Sequence, residues 1–214
     1  MYNWVTHTWN TVKGQCYHDC CYCYMKTWGA QPKIRFDERE LMTDLGEGNT
    51  IFVGNTNDMF TKDIPSEWIE RTIEHCKGHN NEYVFQSKNP QRIVDFEMSL
   101  PDRTIIGTTI ETNRDTIPFS KAPTPQWRAR WIGKISPDSK TFITIEPIMD
   151  FDLEPFAEMI IKAKPDFVNI GADSKRHNLP EPGMDQVNDL INELRKEGIE
   201  IRKKVNLDRL SKRT

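Results

Sequence analysis

The sequence lacks several features that define whole classes of protein. No apolar run approaches the roughly 20 residues that cross a bilayer, and 29% of the 214 residues are charged, which excludes a membrane-spanning protein. The start, Met1-Tyr2-Asn3-Trp4-Val5, has neither the basic nor the apolar region of a secretory leader. The net charge of -3 gives no overall signature of nucleic-acid binding. We therefore expect a cytoplasmic protein without a membrane partner.

Cysteine is scarce and unevenly placed. Four of the five cysteines fall between Cys16 and Cys23. In a reducing compartment such a group predicts metal ligands before disulfides, and the adjacency of Cys20 and Cys21 also disfavours a simple disulfide. The fifth, Cys76, lies on the apolar face of a predicted helix, where we expect it in the core. The sequence has no second cysteine cluster, so we do not expect an auxiliary iron–sulfur centre.

Three cysteines, Cys16, Cys20 and Cys23, form the pattern C-x-x-x-C-x-x-C. Closely spaced thiolates on one loop suit an iron–sulfur cubane, because each sulfur takes one corner, and a three-cysteine set leaves one iron open for chemistry. The alternative is a structural zinc site in which His18 or Cys21 supplies the fourth ligand, although neither has a typical zinc-finger spacing. Cys21 outside the ligand set would be a hydrogen donor or, as we expect, a packed thiol.

Short apolar runs alternate with helical patterns along most of the chain. Strands are predicted at 2–8, 50–53, 82–86, 103–110, 141–145, 166–170 and 199–203. Helices are predicted at 37–45, 66–77, 90–98, around Trp127 and Trp131, and at 153–163 and 184–196. This alternation predicts βα units with right-handed crossovers and a parallel sheet. The expected fold class is α/β, a partial (β/α)6 TIM-like barrel formed by one domain over residues 1–214, with a cysteine loop at 10–28.

Positive charge gathers at the end of the sequence. Residues 195–214 contain eight Lys or Arg and three Asp or Glu, a balance of +5, so the remainder carries -8. This basic tail is either a solvated surface or a contact strip for phosphates.

Polar residues follow nearly every predicted strand. In parallel α/β folds functional groups gather at the carboxyl ends of the strands, so these residues should share a rim with the cysteine loop, which follows the first strand. The positions are Asn57, Asp58, Lys88, Thr109, Glu111, Glu146 and Asp173. Singly, an Asn or Asp at such a position is usually a turn former. The convergence of six strand ends favours a common site.

The cysteine pattern, with Tyr22 directly before its last cysteine, resembles the signature of the radical SAM enzymes. The resemblance implies that Cys16, Cys20 and Cys23 hold a [4Fe–4S] cluster and that S-adenosylmethionine binds the open iron. It further implies an external flavodoxin- or ferredoxin-like electron donor, and a 5′-deoxyadenosyl radical that abstracts a hydrogen atom from the substrate.

A second resemblance covers more of the chain. The stretches 6–10, 22–24, 52–60 and 145–147 are similar to an uncharacterised phage and prophage family, itself similar to spore photoproduct lyase, which repairs a thymine dimer in DNA. The resemblance implies cofactor contacts, which fall on Tyr22, Tyr24, Asn57, Asp58, Lys88 and Thr109. Glu111 and Glu146 would hold the cofactor or the substrate, and Asp173 stands in a Gly-Ala-Asp-Ser stretch where that family has Gly-Gly-Glu-Ser.

Two departures from the lyase bear on the reaction. Asn57 replaces a serine, and Thr56 stands where the lyase has its radical-quenching cysteine. We therefore predict a radical SAM enzyme that modifies or repairs a nucleic-acid base or nucleotide, in the host cytoplasm if the chain is phage-encoded, without assigning a catalytic residue. The alternatives are radical modification of a peptide or small metabolite, and a non-catalytic iron–sulfur or nucleic-acid-binding module.

Overall fold

Parallel strands that follow one another in chain order make up the main sheet. The computed structural model describes residues 2–116 and 118–212. The sheet consists of β1 (His7–Trp9), β4 (Thr50–Val53), β5 (Glu82–Gln86), β6 (Thr104–Thr109), β7 (Lys140–Ile145), β8 (Phe167–Ile170) and β9 (Glu200–Lys203). Each neighbouring pair is parallel. A separate antiparallel pair, β2 (Val12–Lys13) and β3 (Arg35–Phe36), lies within the first crossover. The predicted α/β partial barrel is confirmed.

Five α-helices connect the later strands. They are α1 (Ser66–Lys77), α2 (Pro90–Phe96), α3 (Pro125–Ile132), α4 (Leu153–Ala163) and α5 (Met184–Lys196). The first, fourth and fifth have the predicted bounds, because each carries one continuous apolar face. Helix α1 buries Ile69, Ile73 and Cys76 on that face, which confirms Cys76 as a core residue. Within the described residues, every helix is too short or too polar to cross a bilayer.

Two apolar cores lie on opposite faces of the sheet. Alternate residues of a strand point to opposite faces, and Ile143 belongs to the larger core whereas its neighbour Phe142 belongs to the smaller one. In the smaller core Phe142 stacks on Phe167 at 5.2 Å, and Trp4 meets both rings edge-on. Gly107 on β6 makes this packing possible, since a Cβ there would lie 2.2 Å from the Phe142 ring.

The first predicted strand is wrong over most of its length. Pairing begins only at His7, because Tyr2 and Trp4 stack on each other at 5.1 Å and fill the smaller core. The helix predicted at 37–45 is also wrong. Only Glu38–Met42 form a short 3-10 turn, which ends where Thr43 becomes extended. The helix predicted at 90–98 ends earlier, at Phe96, and a 3-10 turn over Glu97–Ser99 follows.

The basic tail is tied into the fold by ion pairs. Its described part comprises the end of α5, β9 and a 3-10 segment at Val205–Lys212, while Arg213 and Thr214 lie outside the described residues. The pairs are Lys196–Glu193, Arg202–Glu200, Lys204–Glu146 and Arg209–Glu181. These contacts leave less of the tail's positive charge available to a phosphate backbone.

Candidate functional site

A cavity of about 540 Å³ opens at the carboxyl ends of the strands. This size lies within the range of about 300–1,000 Å³ found for ligand sites. Most of the predicted site residues line it: Cys16, Cys20, Cys23, Tyr22, Tyr24, Asn57, Asp58, Lys88, Thr109 and Glu146. Glu111 and Asp173 instead lie behind the lining, at 0% and 3% exposure. The residues that follow the parallel strands therefore do lie close together, as predicted. Two of them, Glu111 and Asp173, point away from the cavity.

The cysteine loop is folded by its own backbone and by two neighbours. The amide of Asp19 donates to Cys16 O, and that of Cys23 donates to Cys20 O, both at 3.2 Å. Cys21 N donates to the carbonyl of Phe119 at 2.8 Å, which fixes the loop to the segment after β6. Cys20 Sγ lies 3.1 Å from Ser120 Oγ in the same segment.

The three thiols of the pattern fit an iron–sulfur cluster by their chemistry. All three are free of disulfides and line the same cavity. Burial raises the pKa of Cys16 to about 12, with a contribution from Asp58, and burial also raises the pKa of Cys23. Metal binding would displace these thiol protons. Residues 2–116 and 118–212 contain no group of three or more His, Cys, Asp or Glu side chains close enough together to hold a metal ion as they stand. The fit therefore rests on the type of donor atom and on the shared cavity.

Of the two residues proposed as a fourth zinc ligand, His18 lines the cavity with the three cysteines and Cys21 does not. His18 Nε2 lies 2.9 Å from Asp58 Oδ2 and is engaged there. Cys21 is exposed rather than packed, so the expectation of a packed thiol is wrong. Its amide bond to Phe119 holds the backbone, while its side chain is absent from the described lining of the cavity.

The Asp58 carboxylate contacts several groups on the cysteine side of the cavity. Its carboxylate accepts hydrogen bonds from Ser87 Oγ and Lys88 N at 2.8 Å and from Phe60 N at 3.0 Å, besides the contact with His18. Burial alone would raise the pKa of Asp58, but His18 and the donated hydrogen bonds outweigh it and hold this pKa below its ordinary value. The carboxylate thus stays charged and locks the ends of β4 and β5 to the cysteine loop.

A second buried network lies behind Lys88. Glu111 forms ion pairs with Lys88 and with Arg128, whose Nη2 lies 2.8 Å from Glu111 Oε2. Tyr22 Oη donates to Glu111 Oε1 at 2.5 Å and lies 3.2 Å from Lys88 Nζ. Burial would raise the pKa of Glu111, but Arg128 and Lys88 outweigh it and hold this pKa well below its usual range. The network joins the cysteine loop, β5, β6 and α3.

Sequence reasoning missed Arg128 and His18. Arg128 is fully buried on α3, where its position on the apolar side of the helix was the available signal, since an arginine there needs an acidic partner. His18 lies inside the cysteine pattern and was considered only as a zinc ligand. Its contact with Asp58 depends on folding together residues 40 positions apart.

The floor of the cavity is aromatic and polar. Tyr2 Oη donates to Gln86 Oε1 at 2.7 Å and lies 2.5 Å from Thr144 Oγ1. Gln86 Nε2 in turn donates to Thr109 Oγ1 at 2.8 Å. Phe52 stacks on Tyr2 at 6.0 Å and completes the floor. These contacts set Thr109, a predicted cofactor contact, at the edge of a fixed surface.

The side of the cavity formed by β7, β8 and β9 carries other charged groups. Glu146 accepts from Asn206 Nδ2 at 2.9 Å and forms an ion pair with Lys204, which also lines the cavity. Ser174 and Lys175, in the loop after β8, line the same wall. None of these three lining residues, Lys204, Ser174 and Lys175, was among the predicted site residues.

One buried acceptor on the lining has no partner. Asn57 Nδ2 donates to Gly14 O at 2.8 Å, but Asn57 Oδ1 receives no hydrogen bond from the described residues. A buried polar atom without a partner is costly, by about 1–3 kcal/mol. A donor on a bound ligand would remove that cost, which suits the predicted role of Asn57 as a cofactor contact.

Comparison by sequence found no matching family model and no matching curated protein. Comparison of folds did find similar structures. A mutant of spore photoproduct lyase matches with a TM-score of 0.64 and 14% identity, over 91% of this chain and 76% of that one. Another mutant of that lyase, with bound AdoMet and dinucleoside spore photoproduct, matches with a TM-score of 0.55 and 15% identity, over 87% and 60% of the two chains.

A further match is SuiB of Streptococcus suis bound to S-adenosylmethionine, with a TM-score of 0.65 and 9% identity, over 98% of this chain and 53% of that one. Spore photoproduct lyase and SuiB are both radical SAM enzymes. At such low identities the likeness shows a shared fold, the partial barrel of these enzymes. The resemblance to a phage and prophage family stays a prediction.

Proposed function

We propose that this chain is a radical SAM enzyme that acts on a nucleotide or a nucleic-acid base. The observation that carries the proposal is the position of Cys16, Cys20 and Cys23 on one cavity, at the carboxyl ends of a sheet with the fold of radical SAM enzymes. The same cavity is lined by Asp58, Lys88 and the other strand-end residues. A zinc site or a purely structural role would not require that arrangement of polar groups.

The cysteines would hold a [4Fe–4S] cluster through their thiolates. When bound, the cluster and S-adenosylmethionine supply the one-electron chemistry that leads to hydrogen-atom abstraction. We place the protein in the cytoplasm with a flavodoxin- or ferredoxin-like electron donor. The protein's own residues bind, orient and exclude water, as the following contacts indicate.

Lys88 and Asn57 are the residues best placed to orient the cofactor. The Lys88 ammonium is held by Glu111 and Tyr22 Oη and lines the cavity, where it would attract a carboxylate. Asn57 Oδ1 is a buried acceptor that receives no hydrogen bond from the part of the chain that the structure describes, and it would accept from an ammonium group. Because Asp58 and Glu111 fix the surrounding backbone and side chains, little reorganisation accompanies binding.

The floor of the cavity would shield the reacting atoms. Tyr2, Phe52 and Pro147 present apolar surface to the cavity, and Tyr2 Oη is already engaged with Gln86 and Thr144. Such a surface keeps water from a reactive species. Aromatic faces also suit a planar base, because base–aromatic stacking contributes about 1–3 kcal/mol per base. This surface and the lysines of the opposite wall support a nucleotide as substrate.

The test begins with anaerobic reconstitution of the whole chain with iron and sulfide. We expect about four irons per chain and reductant-dependent formation of 5′-deoxyadenosine from S-adenosylmethionine. Cys16→Ser, Cys20→Ser and Cys23→Ser should each lose both, whereas Cys21→Ser, the matched control in the same loop, should keep both. Loss of iron from Cys21→Ser, or cluster binding without any cofactor cleavage, would overturn the proposal.

The substrate class is tested by isotope transfer. Deuterium from a labelled oligonucleotide should appear in 5′-deoxyadenosine, because the abstracted atom is carried by that product. Transfer from a labelled peptide or small metabolite instead would retain the radical SAM assignment and reject the nucleotide.

A further inference from the structure

We propose that the loop after β8 (residues 171–180, the β8 loop) and Lys204 form a phosphate subsite, which binds one monoanionic phosphodiester of the substrate. The inference rests on the proposed function, and it adds the group by which the substrate is held. It is carried by one cation on the wall of the cavity that has no acidic partner among the described residues, by the contacts that fix its loop, and by the charge of the residues around it.

Lys175 differs from the other charged residues of the lining. Asp58 lies against His18, Lys88 against Glu111, and Glu146 against Lys204. Lys175 is exposed and lines the cavity, and within the described part of the chain its ammonium meets no acidic side chain. Ser174 beside it adds a hydroxyl to the same wall. A free cation next to a hydroxyl donor is the chemistry that binds a phosphate oxygen.

The β8 loop holds these two side chains through a buried carboxylate. Asp173 is 3% exposed, and it accepts from Lys175 N at 3.2 Å and from His177 Nδ1 at 2.7 Å, besides the amide of His177. Arg209 Nη2 donates to Asp173 O at 2.9 Å. Arg176 adopts a φ of +57° in the left-handed region, which a residue other than glycine keeps only when its surroundings impose it. The direction of the loop is therefore set by contacts rather than by solvent.

Lys204 brings a second cation to the same wall. Its backbone amide donates to Ile170 O at 2.8 Å, so it leaves β9 beside the point where the β8 loop begins. Lys204 and Lys175 line the same cavity, so one ligand bound there can meet both ammonium groups. The Lys204 ammonium lies 4.7 Å from the centre of the Tyr2 ring, directly at the aromatic floor.

The charge of this wall selects the type of phosphate. Among the residues of this wall that line the cavity, Lys175 and Lys204 contribute two positive charges, and Glu146, which pairs with Lys204, contributes one negative charge. The balance of +1 matches a phosphodiester, which carries a single charge. A terminal phosphate monoester carries a charge of about -1.5 to -2 at neutral pH. Part of its negative charge would stay uncompensated beside Glu146. The wall therefore fits an internal nucleotide of a chain better than a free mononucleotide.

The test measures the Kd of a fluorescent dinucleoside monophosphate for the reconstituted protein with S-adenosylmethionine. Lys175→Ala should weaken binding about tenfold, since a hydrogen bond to a charged group is lost. The matched control is Lys134→Ala, which removes an exposed lysine after α3, away from the described lining, and should leave Kd unchanged. A dinucleoside with a neutral methylphosphonate linkage should bind the unaltered protein more weakly and should respond little to Lys175→Ala.

Three results would overturn the subsite. These are equal Kd values for the unaltered protein and Lys175→Ala, equal binding of the charged and neutral linkages, and tighter binding of a mononucleotide than of the dinucleoside. Each is distinct from failure of the proposed function, which would appear first as an unaltered protein that forms no 5′-deoxyadenosine. Cofactor cleavage together with any of the three results would reject the phosphate subsite alone.

Discussion

The charged side chains on the two sides of the cavity differ in how far they are buried and in how many partners they have. On the cysteine side, Asp58 and Glu111 are buried and each lies against several partners. On the β8 side, Lys175 is exposed and Lys204 is only partly covered. A fully partnered buried network is rigid and strongly disfavours alternative arrangements, whereas solvated side chains can adjust to a ligand. Under the proposed function, the preformed side would bind the cofactor, which stays the same, and the adjustable side would bind the substrate.

The largest effect should come from breaking the buried pair on the cysteine side. Arg128→Met leaves the buried Glu111 with Lys88 and Tyr22 but without the Arg128 guanidinium, and loss of one partner of a buried pair costs about 3–5 kcal/mol. Urea denaturation of the metal-free protein measures this loss. The control is Arg114→Met, because Arg114 pairs with Asp150 and Asp152 at the surface, where solvent screens such pairs and they contribute little to stability. Equal losses in the two variants would remove the distinction between a rigid and an adjustable side.

A smaller loss is expected from Asp58→Asn. Asparagine keeps one side-chain oxygen, but its amide nitrogen cannot accept the hydrogen bond that Asp58 Oδ2 takes from Lys88 N at 2.8 Å, so the free energy of unfolding should fall by about 1–3 kcal/mol. The effect depends on pH with a defined sign. The pKa of Asp58 is lowered in the folded state, so its stabilisation is complete above the unfolded pKa of about 3.9 and is lost as the pH falls through the folded value.

Urea titrations at several pH values test this dependence. The difference between the unaltered protein and Asp58→Asn should be constant near neutral pH and should shrink below about pH 4. A difference that grows on acidification would mean that the carboxyl is protonated in the folded protein, contrary to the assignment made from its partners.

The smallest effect is expected on the β8 side. Lys204→Met removes the ion pair with Glu146, in which the Lys204 side chain is 24% exposed and the Glu146 side chain 19% exposed. The free energy of unfolding should fall by about 1 kcal/mol or less. Lys175→Met, at an exposed side chain, should change the free energy of unfolding less still. If Lys175→Met were the more destabilising of the two in urea, Lys175 would be a structural residue and the contrast between the sides would be lost.

Periodic patterns predicted most of the fold because they are local. The apolar face of α1 and the short apolar runs of β4 and β5 can be read within a few residues, and the structure has them at the predicted positions. Residues 2–5 also look like a strand locally. Their true position depends on Phe142 and Phe167, which lie far along the chain, and no local pattern contains that information.

The site was predictable to the same extent and for the same reason. Functional groups tend to follow parallel strands, and this rule correctly predicted that Asp58, Lys88 and Glu146 share one cavity. It could not say that Glu111 turns inward, because this depends on Arg128 in a helix that packs later. Lys175 was missed since it lies beyond the first turn after β8, where its direction is set by Asp173 rather than by the strand.

The smaller core has a consequence for how the chain reaches its folded state. Tyr2 and Thr144, which lie 2.5 Å apart, are separated by 142 positions in sequence. We therefore expect the first segment to dock after β7 and β8 have formed the surface that receives Trp4 and Tyr2. Closing so long a loop carries an entropic cost that slows folding. We thus expect the cavity floor to be completed late in folding, and the newly made chain to expose aromatic rings until its second half has folded.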